Sequence, residues 1–264
     1  MKPRYRLLLA ILNIVGFVTV VVVNVRATTV PLGGKTTAEL SDQYSNLFVP
    51  AGLAFSIWGL IYLLLAVFVV YSFFHAIRTK EARNDFMDQI GILFLITCAA
   101  NVAWIFSWQY QVVPLSMVFM LVLLLSLVAV YLRLEIGTSS IDAAVKYMVH
   151  FPQSIYLGWI TVATLANLTT LLVAAKWDAL QPSGQLWAVV MIGIGIAFGL
   201  IVLFARRDVF YTLVVDWALL GILIKRTASN TDVARGVVIA SIVGIVFLTS
   251  GVVVQIARKK VYRS

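Results

Sequence analysis

Eight times along this chain an apolar run of roughly twenty residues is closed by a short polar or charged break. About 20 apolar residues wound as a helix cross the hydrocarbon of a bilayer. Inside lipid, a lone segment can bond its own backbone polar groups only as a helix. The runs fall at about 7–25, 51–75, 90–109, 112–132, 152–174, 186–204, 209–224 and 237–257. The pattern predicts an all-α integral membrane protein with eight spans. Composition agrees, since 62% of the 264 residues are hydrophobic and 12% charged, against roughly 45–50% and 25% in a soluble domain. MKPRYR before the first run resembles a signal-peptide start. The run is too long for such a peptide, and Val23-Asn24-Val25-Arg26 is a poor cleavage site, so it reads as a retained helix.

The net charge of +9 belongs to the breaks between runs. No basic stretch alternates with aromatics as a nucleic-acid surface would, so nucleic acid is excluded and membrane lipid is the expected partner. With the N-terminus in the cytoplasm, fourteen Lys and Arg fall inside: Lys2, Arg4, Arg6, Arg78, Lys80, Arg83, Arg133, Lys146, Arg206, Arg207, Arg258, Lys259, Lys260 and Arg263. Six fall outside: Arg26, Lys35, Lys176, Lys225, Arg226 and Arg235. The excess predicts a cell-membrane protein with both termini cytoplasmic. Lys225 to Arg235 is basic on the wrong side, so a seventh run that does not cross is the alternative. Gly195-x-x-x-Gly199 and Ala240-x-x-x-Gly244 permit close helix contact, either within the chain or in a homodimer. Cys98, the one cysteine, excludes an internal disulfide and reads as a small buried side chain.

Lipid alone does not require aromatic stripes, yet three runs carry one. Phe55, Trp58 and Tyr62 share a face of the second run at i, i+3 and i+7. Asn101, Trp104 and Trp108 do the same on the third, and Tyr156, Trp159, Ala163 and Asn167 on the fifth. At 1.5 Å per residue, Trp58, Trp104 and Asn167 lie roughly 8–11 Å below the outer surface. The long connection Ala27–Val49 lies above them, and connections of that length are often functional lids. The stripes predict an outer-half aromatic pocket for a hydrophobic small-molecule ligand. The competing reading makes the amides interhelical glue. It also makes aromatics interfacial anchors, which suits Trp108, Tyr110, Trp177 and Trp187 by position. Gly34-Lys35-Thr36 lacks the earlier glycine and the strand that a phosphate-binding loop needs.

The same residues carry a family resemblance. Tyr156-Leu157-Gly158-Trp159-Ile160-Thr161-Val162-Ala163-Thr164-Leu165-Ala166-Asn167 resembles the fifth-helix motif of the TspO/MBR family, the tryptophan-rich sensory or translocator proteins. Pro50 followed by Phe55-x-x-Trp58-x-x-x-Tyr62 is similar to that family's second-helix entry, and Asn101-x-x-Trp104 to its third helix. The resemblance covers about residues 1–175 and leaves 176–264 as additional C-terminal membrane helices. It implies a five-helix bundle that binds porphyrin, haem or another planar hydrophobic ligand for sensing or transport, with no cofactor required. Phe55, Trp58, Tyr62, Asn101, Trp104, Tyr156, Trp159, Ala163 and Asn167 would then serve the pocket. Val49-Pro50-Ala51-Gly52 lacks the paired prolines and tryptophan of the family's entry motif. Thr169–Lys176 lacks the Tyr of its cholesterol motif, so a sterol is not expected.

Asp216 is the clearest mid-run acid, and burying a carboxylate in a membrane is costly enough to suggest use. It carries the alternative function, a proton-coupled secondary transporter. Arg206-Arg207-Asp208 reads as a topology-marking turn. His75 and His150 could approach one another as haem ligands, although solvated histidines are the simpler reading. No HExxH, GxSxG or close pair of intramembrane acids is present, so neither metal nor nucleophile is expected, and porphyrin breakdown is implied by resemblance alone.

Overall fold

The computed structural model describes residues 2–44, 46–79, 85–177, 184–229 and 234–258. Eight long helices fill those ranges: α1 Pro3–Thr29, α2 Gly52–Arg78, α3 Leu93–Gln109, α4 Val113–Arg133, α5 Ala143–Ala174, α6 Gly184–Arg206, α7 Val209–Ser229 and α8 Arg235–Ala257. No strand occurs among the described residues. Prolines stand at the starts of α1 and α4, where the missing N–H has no helical partner to lose. α2 opens as the 3-10 turn Gly52–Ser56. α5 meets Pro152 inside its length, and the preceding residues Lys146–His150 widen into a π-turn. The ring of a proline crowds the carbonyl one turn back, and a π-turn makes room for it.

Six of the eight are long and apolar enough to cross a membrane by length and composition: α1, α2, α4, α5, α6 and α8. α3 is shorter at 17 residues. α7 carries Asp216, Lys225 and Arg226 within its 21 residues. The first five helices close a ring in which α1 packs on α2 and α3, α3 on α4, α4 on α5, and α5 back on α2. The α2–α5 seam is the sparsest. α7 lies beside it against α5, with α6 and α8 packed outside. One hydrophobic cluster runs without a break from Ala10 through Trp104 and Tyr211 to Leu248.

Small residues set these close approaches. A Cβ added at Gly158 of α5 would lie 3.0 Å from the Tyr211 carbonyl and from Val214 of α7. Added at Gly199 it would meet Leu248 at 2.8 Å, and at Gly244 it would meet Ile196 at 2.6 Å. Gly199 and Gly244 of the small-residue pairs of α6 and α8 are thus packed inside the chain.

Contacts near the first residue, the α2–α3 connection, the α4–α5 connection and the end of α8 define one end of the bundle, the terminal end. There Arg6, 2% exposed, donates from Nε and Nη2 to both oxygens of Asp88 at 3.0 and 2.7 Å. Its Nη1 lies 3.2 Å from Asp85, whose side chain is fully buried. His75 Nε2 also meets Asp85, at 3.0 Å, and the ring packs on Phe86 at 4.8 Å. His75 is therefore engaged with a carboxylate, while His150 is buried on the π-turn. Among the described residues no three His, Cys, Asp or Glu gather as metal ligands. Asp208 is more than a topology marker, because it is fully buried and caps α7. It accepts from the Phe210 and Tyr211 amides at 3.0 and 3.1 Å and from the Tyr131 hydroxyl at 3.0 Å. Lys80, Arg83, Lys259, Lys260 and Arg263, counted above for topology, lie outside the described residues.

Candidate functional site

At the other end, the loop end, the three aromatic stripes converge. Trp58 of α2 is their centre. It stacks on Tyr62 at 5.5 Å and 22° and on Trp104 of α3 at 6.3 Å and 27°. It meets Tyr156 and Trp159 of α5 edge-on at 6.2 and 6.3 Å. Phe55 closes against Trp159 at 5.9 Å and 80°, and Trp108 stacks on Trp104 at 6.1 Å. Offset-stacked and edge-to-face pairs at these separations each add about 0.5–1.5 kcal/mol beyond area burial. The i, i+3, i+7 spacing turns each stripe inward, and ring closure brings the three faces together.

A cavity of about 40 Å³ lies above this cluster. Phe55, Trp58, Trp104, Trp159, Ala163 and Asn167 line it. Tyr62, Asn101 and Tyr156 do not, because they form the packed layer beneath Trp58. Trp108 also lines the cavity. It is 5% exposed and donates from Nε1 to the Thr37 carbonyl at 3.3 Å, so it is a wall rather than an interfacial anchor. Tyr110 and Trp177 do face outward, at 62% and 44% exposed.

The connection Ala27–Val49 folds over the cavity. Its short helix Thr37–Gln43 begins with a reciprocal cap in which Thr36 accepts from the Glu39 amide and Glu39 accepts from Thr36. That backbone hydrogen bond from Thr36 holds the Glu39 carboxyl below the usual carboxylate range. Thr37 and Ser41 of this helix, with Pro50, complete the lining. Gly33 is pressed against α3, its amide 3.2 Å from the Gln109 side chain. A side chain there would collide with the Gln109 carbonyl. Leu40, Phe48 and Val49 are at most 2% exposed, so the connection is a packed roof.

The amides bond within the protein. Asn24 of α1 donates to Asn101 at 2.8 Å, and Asn101 donates to the Tyr156 hydroxyl at 3.2 Å, tying α1, α3 and α5 together. Trp104 Nε1 donates to Asn167 at 2.9 Å, and Asn167 donates to Ser116 of α4 at 3.1 Å. Asn101 is 0% exposed and has no face on the cavity. Asn167 borders it while bonded on both sides. The Trp159 Nε1 and the Tyr62 hydroxyl are buried without a hydrogen-bond partner among the described residues.

The roof also rests on α7, which nothing in the aromatic pattern announces. Trp217 donates to the Ala54 carbonyl at 3.0 Å, and the Ala51 amide donates to the Gly221 carbonyl at 3.0 Å. Lys225 pairs with Asp42 and reaches the Pro50 carbonyl at 3.5 Å. Arg226 donates to the Asn46 and Val49 carbonyls at 3.3 and 3.2 Å. Asp216, by contrast, is on the outer α7–α8 boundary, where it accepts from the exposed Thr249 at 3.0 Å.

Together these features define a polytopic helical membrane protein whose first five helices enclose a roofed aromatic pocket. The chain belongs to the TSPO-like protein family, whose family model matches residues 10–254. The match runs beyond residue 175 through the last three helices, so the likeness is wider than the three motifs show. No curated protein and no solved structure matches the chain.

Proposed function

We propose that this protein binds a planar hydrophobic ligand of tetrapyrrole type between its aromatic walls, for sensing or transport across the membrane that holds it. The observation that carries the reading is the convergence of Phe55, Trp58, Trp104 and Trp159 on one cavity under a roof. Flat aromatic faces stack on a flat ligand, and apolar walls with few polar groups are what such sites use. The cavity is small as it stands. At about 40 Å³ it has room for a water or so, whereas sites for drug-sized ligands run to roughly 300–1,000 Å³. Admission therefore requires the roof to lift and the rings to part. We also place the termini in the cytoplasm, since Arg78, Arg133, Lys146, Arg206 and Arg207 gather at the terminal end.

Protoporphyrin IX added to the detergent-solubilised protein should quench its tryptophan fluorescence saturably. In Trp58→Phe combined with Trp159→Phe, binding followed on the porphyrin's own fluorescence should weaken about tenfold, or roughly 1.4 kcal/mol. Unchanged affinity would remove the pocket from this role. A second reading, proton-coupled transport through Asp216, has one observation in its favour. The Oδ1 of that mid-helix carboxylate is buried with no partner among the described residues. It predicts pH-gradient-driven uptake into vesicles that Asp216→Asn abolishes.

A further inference from the structure

Lys225 and Arg226 are two cations that membrane topology does not account for, being on the side that the charge bias leaves poor in Lys and Arg. Their contacts supply a reason. Lys225 pairs with the Asp42 carboxylate and reaches the Pro50 carbonyl, and Arg226 donates to the carbonyls of Asn46 and Val49. Pro50 lines the cavity, and Asp42 follows the lining residue Ser41. One turn earlier on α7, Gly221 approaches so closely that an added Cβ would lie 2.7 Å from Ala54 and 3.0 Å from Pro50. Its carbonyl takes the Ala51 amide. The roof is thus fastened along one side by a helix outside the five-helix ring. The rim pair is accessible to water, with the Lys225 and Asp42 side chains 24% and 51% exposed. Such a pair breaks at small cost.

We infer that α7 is the latch of the pocket. Lys225 and Arg226 hold the Asn46–Ala51 segment down over the cavity, and ligand enters or leaves when those ties release. The inference rests on the ligand-binding reading above, and it assigns to the C-terminal helices the control of admission rather than contact with the ligand. Lys225 and Arg226 are positioning residues, acting on the ligand only through the roof.

The test has one arm that needs no ligand. In the ligand-free full chain, amide hydrogen exchange over residues 46–56 should speed up in Lys225→Ala combined with Arg226→Ala. Exchange in α3 and α4 should stay as in the unsubstituted protein, showing that the bundle remains folded. In the second arm, stopped-flow mixing with protoporphyrin IX should give association and dissociation rates that both rise, by about tenfold, with little change in their ratio. A charge exchange, Asp42→Lys with Lys225→Asp, should restore slow entry, whereas Asp42→Lys alone should not. Unchanged exchange over 46–56 would show that these cations do not hold the roof. Faster exchange with unchanged rates would show that the roof is not the barrier, and either result overturns the latch. If the unsubstituted protein fails to bind protoporphyrin IX, the ligand reading and the gating role fall together, while the exchange arm still reports whether α7 fastens the roof.

Discussion

The two ends of this bundle are closed by different chemistry. At the terminal end Arg6, Asp85, Asp88 and His75 form a buried ionic knot. The space beside it, among Leu9, Asn13, Phe68 and Phe86, is filled to about 0 Å³. At the loop end the closing groups are rings, neutral amides and backbone carbonyls, and a cavity of about 40 Å³ persists beneath the roof. The rim there is tied by Arg226 and by a water-accessible Lys225–Asp42 pair that breaks at small cost. Opening a buried ion knot strands charges in a medium that solvates them poorly. Parting two aromatic faces forfeits only dispersion and a modest quadrupole term. The chain thus pairs one end that is costly to open with one that is cheap, and the cheap end is the one proposed to admit a ligand.

The largest expected effect breaks that comparison at its strong end. Arg6→Ala leaves Asp85 fully buried with His75 beside it and takes away the two hydrogen bonds that Asp88 accepts from Arg6. Removing one member of a buried pair costs about 3–5 kcal/mol. The thermal unfolding midpoint in detergent should fall by many degrees. A variant as stable as the parent would show that the knot does not hold the terminal end, and the contrast between the ends would disappear.

How much of this could be read from residues alone follows from the range of each signal. Helices are local, so hydropathy located all eight, and a 3.6-residue period put Phe55, Trp58 and Tyr62 on one face. α5 nevertheless starts at Ala143, well before the expected 152, because its first turns carry Lys146 and His150 and are capped by Asp142. The meeting of Trp58, Trp104 and Trp159 needed the ring to close, because α1 packs between α2 and α3 and the stripes meet in the interior of the ring. The misreadings concern partners distant in sequence. Trp108 ends α3, where an anchor is expected, and only the folded roof makes its indole a donor to Thr37. Asp208 stands in a charged turn, and only the folded bundle buries it, with the Tyr131 hydroxyl of α4 donating to it. Asn101 shares a face with Trp104, yet its partner Asn24 lies 77 residues away. The contacts of Lys225 and Arg226 span more than 170 residues. No local pattern marks such pairs, although the misplaced basic charge was a visible sign that something held it there.

A middle-sized effect sharpens the loop end. Asn101→Leu removes the bridge between Asn24 and Tyr156 and leaves two buried polar groups to find other partners. Stranding buried polar groups costs about 1–3 kcal/mol in proteins generally. Membrane interiors hold the net cost of one interhelical bond nearer 0.6 kcal/mol. The unfolding midpoint should drop visibly but by clearly less than in Arg6→Ala. Porphyrin affinity should change little, because Asn101 has no face on the cavity. A large loss of affinity at unchanged stability would put Asn101 in contact with the ligand after all.

The smallest effect is a matter of pH. The hydrogen bonds from Arg6 hold the Asp88 carboxyl below the usual carboxylate range, against the opposing pull of partial burial. A carboxyl whose folded pKa is depressed contributes stability that is fully present above its unfolded value, near 3.9. That contribution is lost as pH falls through the lower folded value. Asp88 is 28% exposed at the side chain, so solvent screening keeps its share within about 1 kcal/mol. Asp88→Asn should therefore lower the unfolding midpoint slightly and by a constant amount from neutral pH down to about 5. The two proteins should converge only at more acid pH, once Asp88 itself is protonated. A gap that closes between pH 7 and 5 would mean that burial outweighs Arg6 and that Asp88 titrates above the usual carboxylate range. Arg6 would then hold the terminal end through Asp85 alone, and the strong end would be narrower than the structure suggests.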